Sequence, residues 1–318
     1  MTGGGVLNIN KPSGWTSHDV VARVRGLLKV KKAGHAGTLD PQATGVLPVC
    51  FGKGTKVAEY LMATEKEYRA VMRLGEETDT EDATGRSIRR CDRVNLSDAA
   101  IQEALGSFVG TYDQLPPLYS AVKVGGVPLY KAARAGLEVQ RERRSVTIRR
   151  IEFEKRTGSD VWFTVACGKG TYIRTLCADV GKALSVGAHL FSLCRTRVGI
   201  FRLEDSIELS DLKRGVLDGS WPERVYSLAR VLSHFSEVSV AGPWEERVCH
   251  GVPIPLSQCA ALGTLPEASG APSLVRVCGL RGGLLAIAKV SEDLSLGPCL
   301  RIEKVLVDPQ DQGVQPVS

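Results

Sequence analysis

Residues 66–74 alternate, with Tyr68, Ala70, Met72 and Leu74 on one face and Glu67, Arg69 and Arg73 on the other. A period of two over that length is a half-buried β-strand and excludes a helix. Further along the period changes. Val161-Trp162-Phe163-Thr164-Val165 reads as a strand, Gly168-Lys169-Gly170 as a turn, and Ile173, Leu176, Cys177, Val180 and Leu184 then recur at helical spacing. Residues 189–198 read as a returning strand. Nearer the N-terminus, Val6-Leu7-Asn8-Ile9 is a short strand broken by Pro12 and Gly14. Ser17 is placed to cap a helix carrying Val20, Val21, Val24, Leu27 and Leu28. Ser97 is placed as a second N-cap, with Leu96 and Ile101 as its hydrophobic staple. Residues 33–56 are rich in glycine and threonine with little periodicity, which predicts a structured loop region. Strands and helices mix without regular βαβ alternation. The expected class is α+β, with a mixed, largely antiparallel sheet flanked by helices.

A chain of 318 residues has room for one large unit and a small one. The composition changes after residue 228. Short apolar strands around residues 273–278, 284–290 and 300–306, separated by Gly, Pro and Ser, predict a small β domain over 229–307. Residues 1–228 form the main domain in this reading. The tail 308–318 lacks the apolar content to fold.

Several function classes are excluded at this level. The longest apolar runs, such as residues 283–288, are far too short to span a bilayer. Met1-Thr2-Gly3-Gly4-Gly5 is not a basic region leading into an apolar stretch, so the expected location is the cytosol. The nine cysteines contain no C-x-x-C pair and read as reduced thiols rather than zinc ligands. The five histidines form no H-x-x-x-H pair, and no metal is expected. Gly52-Lys53-Gly54-Thr55 and Gly168-Lys169-Gly170-Thr171 both miss the spacing of a nucleotide-binding phosphate loop. The net charge of +6 is mild. Its clusters, Lys29, Lys31 and Lys32, then Arg141, Arg143, Arg144, Arg149 and Arg150, fit a solvated surface as well as a nucleic-acid face.

One segment is more particular, Gly34-His35-Ala36-Gly37-Thr38-Leu39-Asp40-Pro41-Gln42-Ala43-Thr44-Gly45-Val46-Leu47-Pro48. Pro41 biases Asp40 away from the helical region, and Gly37 and Gly45 permit tight turns on either side. The product is a carboxylate on a constrained loop. An isolated Asp-Pro pair would read as the N-cap of a short helix starting at Pro41.

Residues 34–45 closely resemble the catalytic motif of the TruB family of pseudouridine synthases. The resemblance continues in order through Lys11-Pro12-Ser13-Gly14-Trp15-Thr16-Ser17, Lys66-Glu67-Tyr68-Arg69, and residues 78–85, 114–123, 168–175 and 187–190. It implies a pseudouridine synthase fold followed by a small PUA-like β domain. It also implies conversion of uridine to pseudouridine in the T-loop of tRNA, at position 55, by an aspartate-dependent mechanism with no cofactor. Asp40 is the implied catalytic carboxylate, Arg174 its partner, and Tyr68 the ring that stacks on the extruded base. His35 is implied as the wedge that takes the base's place, and Tyr172 and Leu193 as walls of the uracil pocket. Lys11, Lys123 and Arg134 are the expected substrate-binding cations, the last two within an insertion at about 117–145 expected to be mobile and to order on RNA. Attack on the sugar, attack on the base and relay of a proton are all open to the carboxylate. An adjacent guanidinium is expected to lower its pKa. The expected partner is the tRNA T-arm alone, bound by a monomer with no obligatory protein partner and no membrane. Two other functions are compatible with these residues: the guide-dependent catalytic subunit of a small-nucleolar-type particle, and a non-catalytic tRNA chaperone. The insertion, and short termini without a lysine run, favour the stand-alone enzyme.

Overall fold

The computed structural model describes residues 3–120, 122–129, 131, 137, 139–262, 274–293 and 297–307. In chain order, β1 (Gly4–Lys11) and α1 (Ser17–Leu28) precede β2 (Ala33–His35) and β3 (Thr44–Gly52). α2 (Ala58–Ala63) leads into β4 (Lys66–Leu74) and the hairpin of β5 (Glu76–Thr78) and β6 (Ser87–Arg90). Next come α3 (Asp98–Gly106), β7 (Gly110–Gln114) and a small hairpin of β8 (Lys123–Val124) and β9 (Val127–Pro128). The long hairpin of β10 (Arg144–Thr157) and β11 (Asp160–Cys167) is followed by α4 (Ile173–Ala183), β12 (Ala188–Val198) and β13 (Phe201–Arg202). After α5 (Leu209–Asp218), the short β14 (Val225–Tyr226) adds an edge strand.

These strands make a ten-stranded sheet ordered β14-β1-β3-β12-β4-β11-β10-β7, with β2 on β3 and β13 on β12. Every pairing is antiparallel except β3 with β12. The class is therefore α+β with a mixed sheet, as the patterning implies. The parallel junction joins Thr44 to Cys194 and Gly45 to Arg195 near the middle of the sheet. Asp40 lies on the loop that feeds this junction.

A second sheet of six strands is ordered β16-β20-β19-β18-β15-β17. Its strands are β15 (Ser236–Val240), β16 (Ile254–Pro255), β17 (Ala260–Leu262), β18 (Leu274–Gly279), β19 (Leu284–Asp293) and β20 (Gly297–Val305). Residues 308–318, read as an unfolded tail, lie outside the described residues. The two sheets share a core: Ile287 and Leu306 are buried in one cluster with Val6, Val46, Leu61 and Phe201.

Two local expectations need correction. Thr44–Gly52 is a strand, not loop, and seven consecutive residues of it are buried. A strand covered on both faces has no reason to alternate, so its sequence carries no period of two. The cap of α1 is Thr16, one residue before Ser17. Thr16 Oγ1 accepts from Asp19 N–H at 3.1 Å, and Asp19 Oδ2 accepts from Thr16 N–H at 2.9 Å, a reciprocal capping box. Ser17 is thereby freed for another task. Its Oγ accepts from Leu39 N–H at 2.9 Å and donates to the Leu39 carbonyl at 3.1 Å. The helix is tied to the residue beside Asp40.

Candidate active site

The site is built from three stretches of chain. The first is the loop 36–43. Gly37 and Gly45 have φ of +113° and +98°, values an L side chain rarely adopts. Between them Ala43 N–H donates to the Asp40 carbonyl at 3.1 Å, a single turn. No helix starts at Pro41, so Asp40 is not a helix cap.

The loop is fastened from below. Lys11 is fully buried, and its Nζ donates to the carbonyls of Pro12, Trp15 and Pro41 at 2.9, 2.6 and 2.9 Å. All three of its donors are used on main chain, so in the free protein Lys11 shapes the Asp40 loop. Burial lowers its pKa to about 8, while the nearby Asp40 charge opposes the shift.

The second stretch opens α4. Gln114 is buried and clamps Tyr172, accepting from its N–H at 2.8 Å and donating to its carbonyl at 3.0 Å. This fixes the first turn, whose second residue is Arg174. The helix turns Arg174 inward rather than to its surface, and only 6% of the side chain is exposed. Its Nη2 donates to Asp40 Oδ1 at 3.2 Å and to the Tyr119 carbonyl at 3.0 Å, bridging 134 positions of sequence.

The third stretch is the β5–β6 turn, from the Thr78–Gly85 motif. Asp82 Oδ1 accepts from Thr80 Oγ1, Thr84 Oγ1 and Thr84 N–H at 2.7, 2.6 and 2.9 Å. Its other oxygen lies 3.8 Å from Arg174 Nη1. Arg174 thus sits between two carboxylates. Behind it, Glu81 holds a φ of +63°, and its carboxylate accepts from Thr175 Oγ1 at 2.5 Å.

Asp40, Asp79, Asp82, Arg86, Tyr119 and Arg174 line a cleft of about 480 Å³. That size falls within the range of about 300–1,000 Å³ usual for small-ligand sites. Burial raises the Asp40 pKa. Arg174 pulls it down, Asp82 pushes it up and Lys11 pulls it down, and the net shift is upward. The expectation that the guanidinium sets the direction is corrected: desolvation outweighs it. The Asp40 side chain keeps 41% of its surface open to the cleft. Among the described residues, no group of three or more His, Cys, Asp or Glu side chains is placed to hold a metal ion.

The remaining candidates divide. Tyr68 is buried in the same cluster as Leu39 and Ile173, the neighbours of Asp40 and Arg174, and Leu193 packs against that cluster. The ring of Tyr172 lies 6.0 Å from the Arg174 guanidinium. His35 ends β2, pairs across to Val49 and meets His18 edge-on at 5.3 Å. Burial lowers its pKa to about 4, so the imidazole is neutral at physiological pH. None of these four is a wall of the cleft around Asp40. Lys123 lies on β8, away from any pairing with the central strands. Arg134 falls outside the described residues. In the same insertion Arg141 and Arg143 each donate to main chain, at the Pro116 and Asp113 carbonyls.

Sequence reasoning assigned no role to Asp82, Tyr119, Gln114 or Arg195. Asp82 stands in a conspicuously acidic motif and could have been marked. Gln114 and Arg195 act on main-chain atoms, which leave no trace in side-chain patterning.

Residues 25–173 match the TruB family pseudouridylate synthase N-terminal domain, and residues 174–234 match the tRNA pseudouridylate synthase B C-terminal domain. It is 47% identical to the tRNA pseudouridine synthase B of Geobacillus kaustophilus over 78% of this chain and 89% of that one. It is 43% identical to the tRNA pseudouridine synthase B of Geobacter sulfurreducens over 88% and 91%. Among solved structures, a chain of the Cbf5-Nop10-Gar1 complex superposes with a TM-score of 0.76 at 31% identity, covering 96% of this chain and 86% of that one.

Proposed function

The chain belongs to the TruB family of pseudouridylate synthases, and on that premise we propose that it converts uridine 55 in the T-loop of tRNA to pseudouridine. The reaction breaks the N1–C1′ glycosidic bond and joins C5 of the same base to C1′. The C5 proton leaves and N1 gains one, so atoms and electrons balance without a cofactor. The protein must hold the detached uracil while it turns.

The observation that carries this reading is the 3.2 Å approach of Arg174 to Asp40 at the edge of a cleft. Asp40 is the reacting carboxylate in this proposal. Arg174 orients it and offsets part of the cost of its burial. The target base is out of reach inside a folded T-loop and must be extruded, at a cost of a few kcal/mol. Tyr68 supplies a stacking face, worth about 1–3 kcal/mol by comparison with single-strand binders. Tyr172 and Leu193, which do not line the cleft of the free protein, confine the uracil once RNA is bound. His35, uncharged at neutral pH, fills the vacated position in the RNA stack. The insertion at 117–145, with Lys123 and Arg134, closes on the stem-loop and makes binding salt-dependent. Residues 1–228 form the catalytic unit and residues 229–307 a PUA-like unit.

The curated relatives carry tRNA in their names, which supports the tRNA reading over the guide-dependent one. The deciding experiment mixes purified protein, without partners, with a T-stem-loop transcript and analyses the nucleosides. Wild type forms pseudouridine, and Asp40→Asn forms none while binding the RNA with nearly unchanged affinity. Isomerisation by the Asn variant would overturn the assignment of Asp40. Inactivity of the wild type on bare RNA would favour the guide-dependent reading.

A further inference from the structure

Arg195 heads the fully buried side chains in size, with 1% of its surface exposed. None of the ion pairs among the described residues involves it. Three of its N–H donors go to main chain, and it also hydrogen-bonds the Tyr68 side chain. Nε donates to the Val46 carbonyl at 2.7 Å, Nη2 to the Gly37 carbonyl at 3.0 Å and Nη1 to the Thr38 carbonyl at 3.4 Å. Gly37 and Thr38 enter the Asp40 loop, and Val46 leaves it. One planar fork therefore ties both stems of that loop together, its donors fixed in a single plane.

The strand register extends the link. In the sheet Arg195 stands opposite Gly45 of β3 on one side and opposite Tyr68 of β4 on the other. Gly45 lets the Arg195 main chain come close, since a Cβ there would sit 2.3 Å from the Arg195 carbonyl oxygen. On the other side the guanidinium charge reaches the Tyr68 hydroxyl and favours its ionised form against the effect of burial.

We propose that Arg195 is a positioning residue for the reaction, locking the loop that carries Asp40 to the strand that carries Tyr68. Carboxylate and phenol are then held at one fixed separation. This rests on the roles given to Asp40 and Tyr68 above. A loop free to shift by an ångström forfeits about 10²-fold in rate, because the reacting groups lose their alignment. Affinity for RNA, spread over many phosphate contacts, depends little on that alignment.

The test compares wild type with Arg195→Lys and Arg195→Gln on a T-stem-loop transcript, measuring kcat, KM, RNA Kd and thermal stability. The expected result is a kcat lower by about 10²-fold in both folded variants, with KM and Kd within about threefold of wild type. The lysine variant keeps the charge and loses the fork, so its defect assigns the effect to geometry. A folded variant with wild-type kcat and only a lower Tm makes Arg195 a stability residue and overturns the proposal. Should both variants fail to fold, ¹⁵N NMR of the wild-type arginine side chains decides. Hindered rotation about Nε–Cζ of Arg195 supports the lock, and free rotation rejects it. A wild type that forms no pseudouridine defeats the underlying reading instead, and the parallel assay separates the two failures.

Discussion

At the scale of single residues, Asp40 is governed by opposed influences whose balance sets a measurable pH. Burial and Asp82 raise its pKa, Arg174 and Lys11 lower it, and the sum lies above the ordinary carboxylate value of about 3.9. With ionised Asp40 as the reacting form, the rate falls on the acid side with a midpoint above that value. Asp82→Asn removes an upward influence, so its acid limb moves to lower pH. A limb that moved upward would contradict the arrangement. The sign for stability runs the other way. A carboxyl whose folded pKa is raised contributes stability that is complete below the unfolded pKa and lost as pH rises through the folded one. Asp40→Asn is therefore expected to melt above wild type at pH 7, and the gain should vanish at pH 3. Burial disfavours the charged form of Lys11 as well, but its three hydrogen bonds outweigh that cost. Lys11→Met removes hydrogen bonds from three part-buried carbonyls, of which, among the described residues, only that of Pro41 keeps a second donor in Gly14 N–H, and urea unfolding at pH 7 should record a loss of about 1–3 kcal/mol. The pairing of Asp40 with Arg174 was legible only through resemblance. Nothing in spacing or periodicity relates two residues so far apart. The hydrogen bonds of Lys11 left no trace in the sequence, because the carbonyls that hold it come from three separate residues.

At the scale of elements, what could be read depended on whether one face meets solvent. β4 alternates because Arg69 is exposed while Tyr68, Ala70, Met72 and Leu74 are buried, and it was legible. α3 was legible from its cap: Ser97 Oγ accepts from Ala100 N–H at 3.2 Å, and Ile101 packs in the core with Leu96 against it. Buried on both faces, β3 has no alternation and reads as loop, although it positions the candidate site. The contrast yields paired expectations. Ser97→Ala removes a cap remote from the cleft, so it should cost about 1 kcal/mol and leave the rate of isomerisation unchanged well below Tm. Gly45→Ala forces a side chain into a left-handed position and against the Arg195 carbonyl. It should cost more than about 1 kcal/mol and also slow the reaction, because the strand it disturbs carries the Asp40 loop. Equal activity of the two variants at low temperature would show that β3 does not transmit strain to the site.

At the scale of the whole molecule, composition divides the chain near residue 228, but the packing does not leave two independent bodies. Ile287 of the six-stranded sheet and Leu306, just past its last strand, are buried with Val6, Val46 and Phe201 of the ten-stranded one. Burying each contributes about 1.5–3 kcal/mol. Around them Lys304 Nζ pairs with Glu59 at 3.0 Å, and Lys56 Nζ donates to the Val305 carbonyl at 2.8 Å. The Lys304–Glu59 pair is partly exposed and adds little, so the apolar contacts decide the coupling. A composition shift marks where the chain changes character; it carries no information on how much surface the two parts later share. Coupling of several kcal/mol, set against a total stability of about 5–15 kcal/mol, makes separate melting unfavourable. Scanning calorimetry should therefore show one cooperative transition, with calorimetric and van't Hoff enthalpies in agreement. Ile287→Ala together with Leu306→Ala should split it, the six-stranded sheet melting first. Two resolved transitions already in the wild type would mean that the shared cluster is too small to join the sheets, and any effect of residues 229–307 on RNA binding would then have to pass through the RNA.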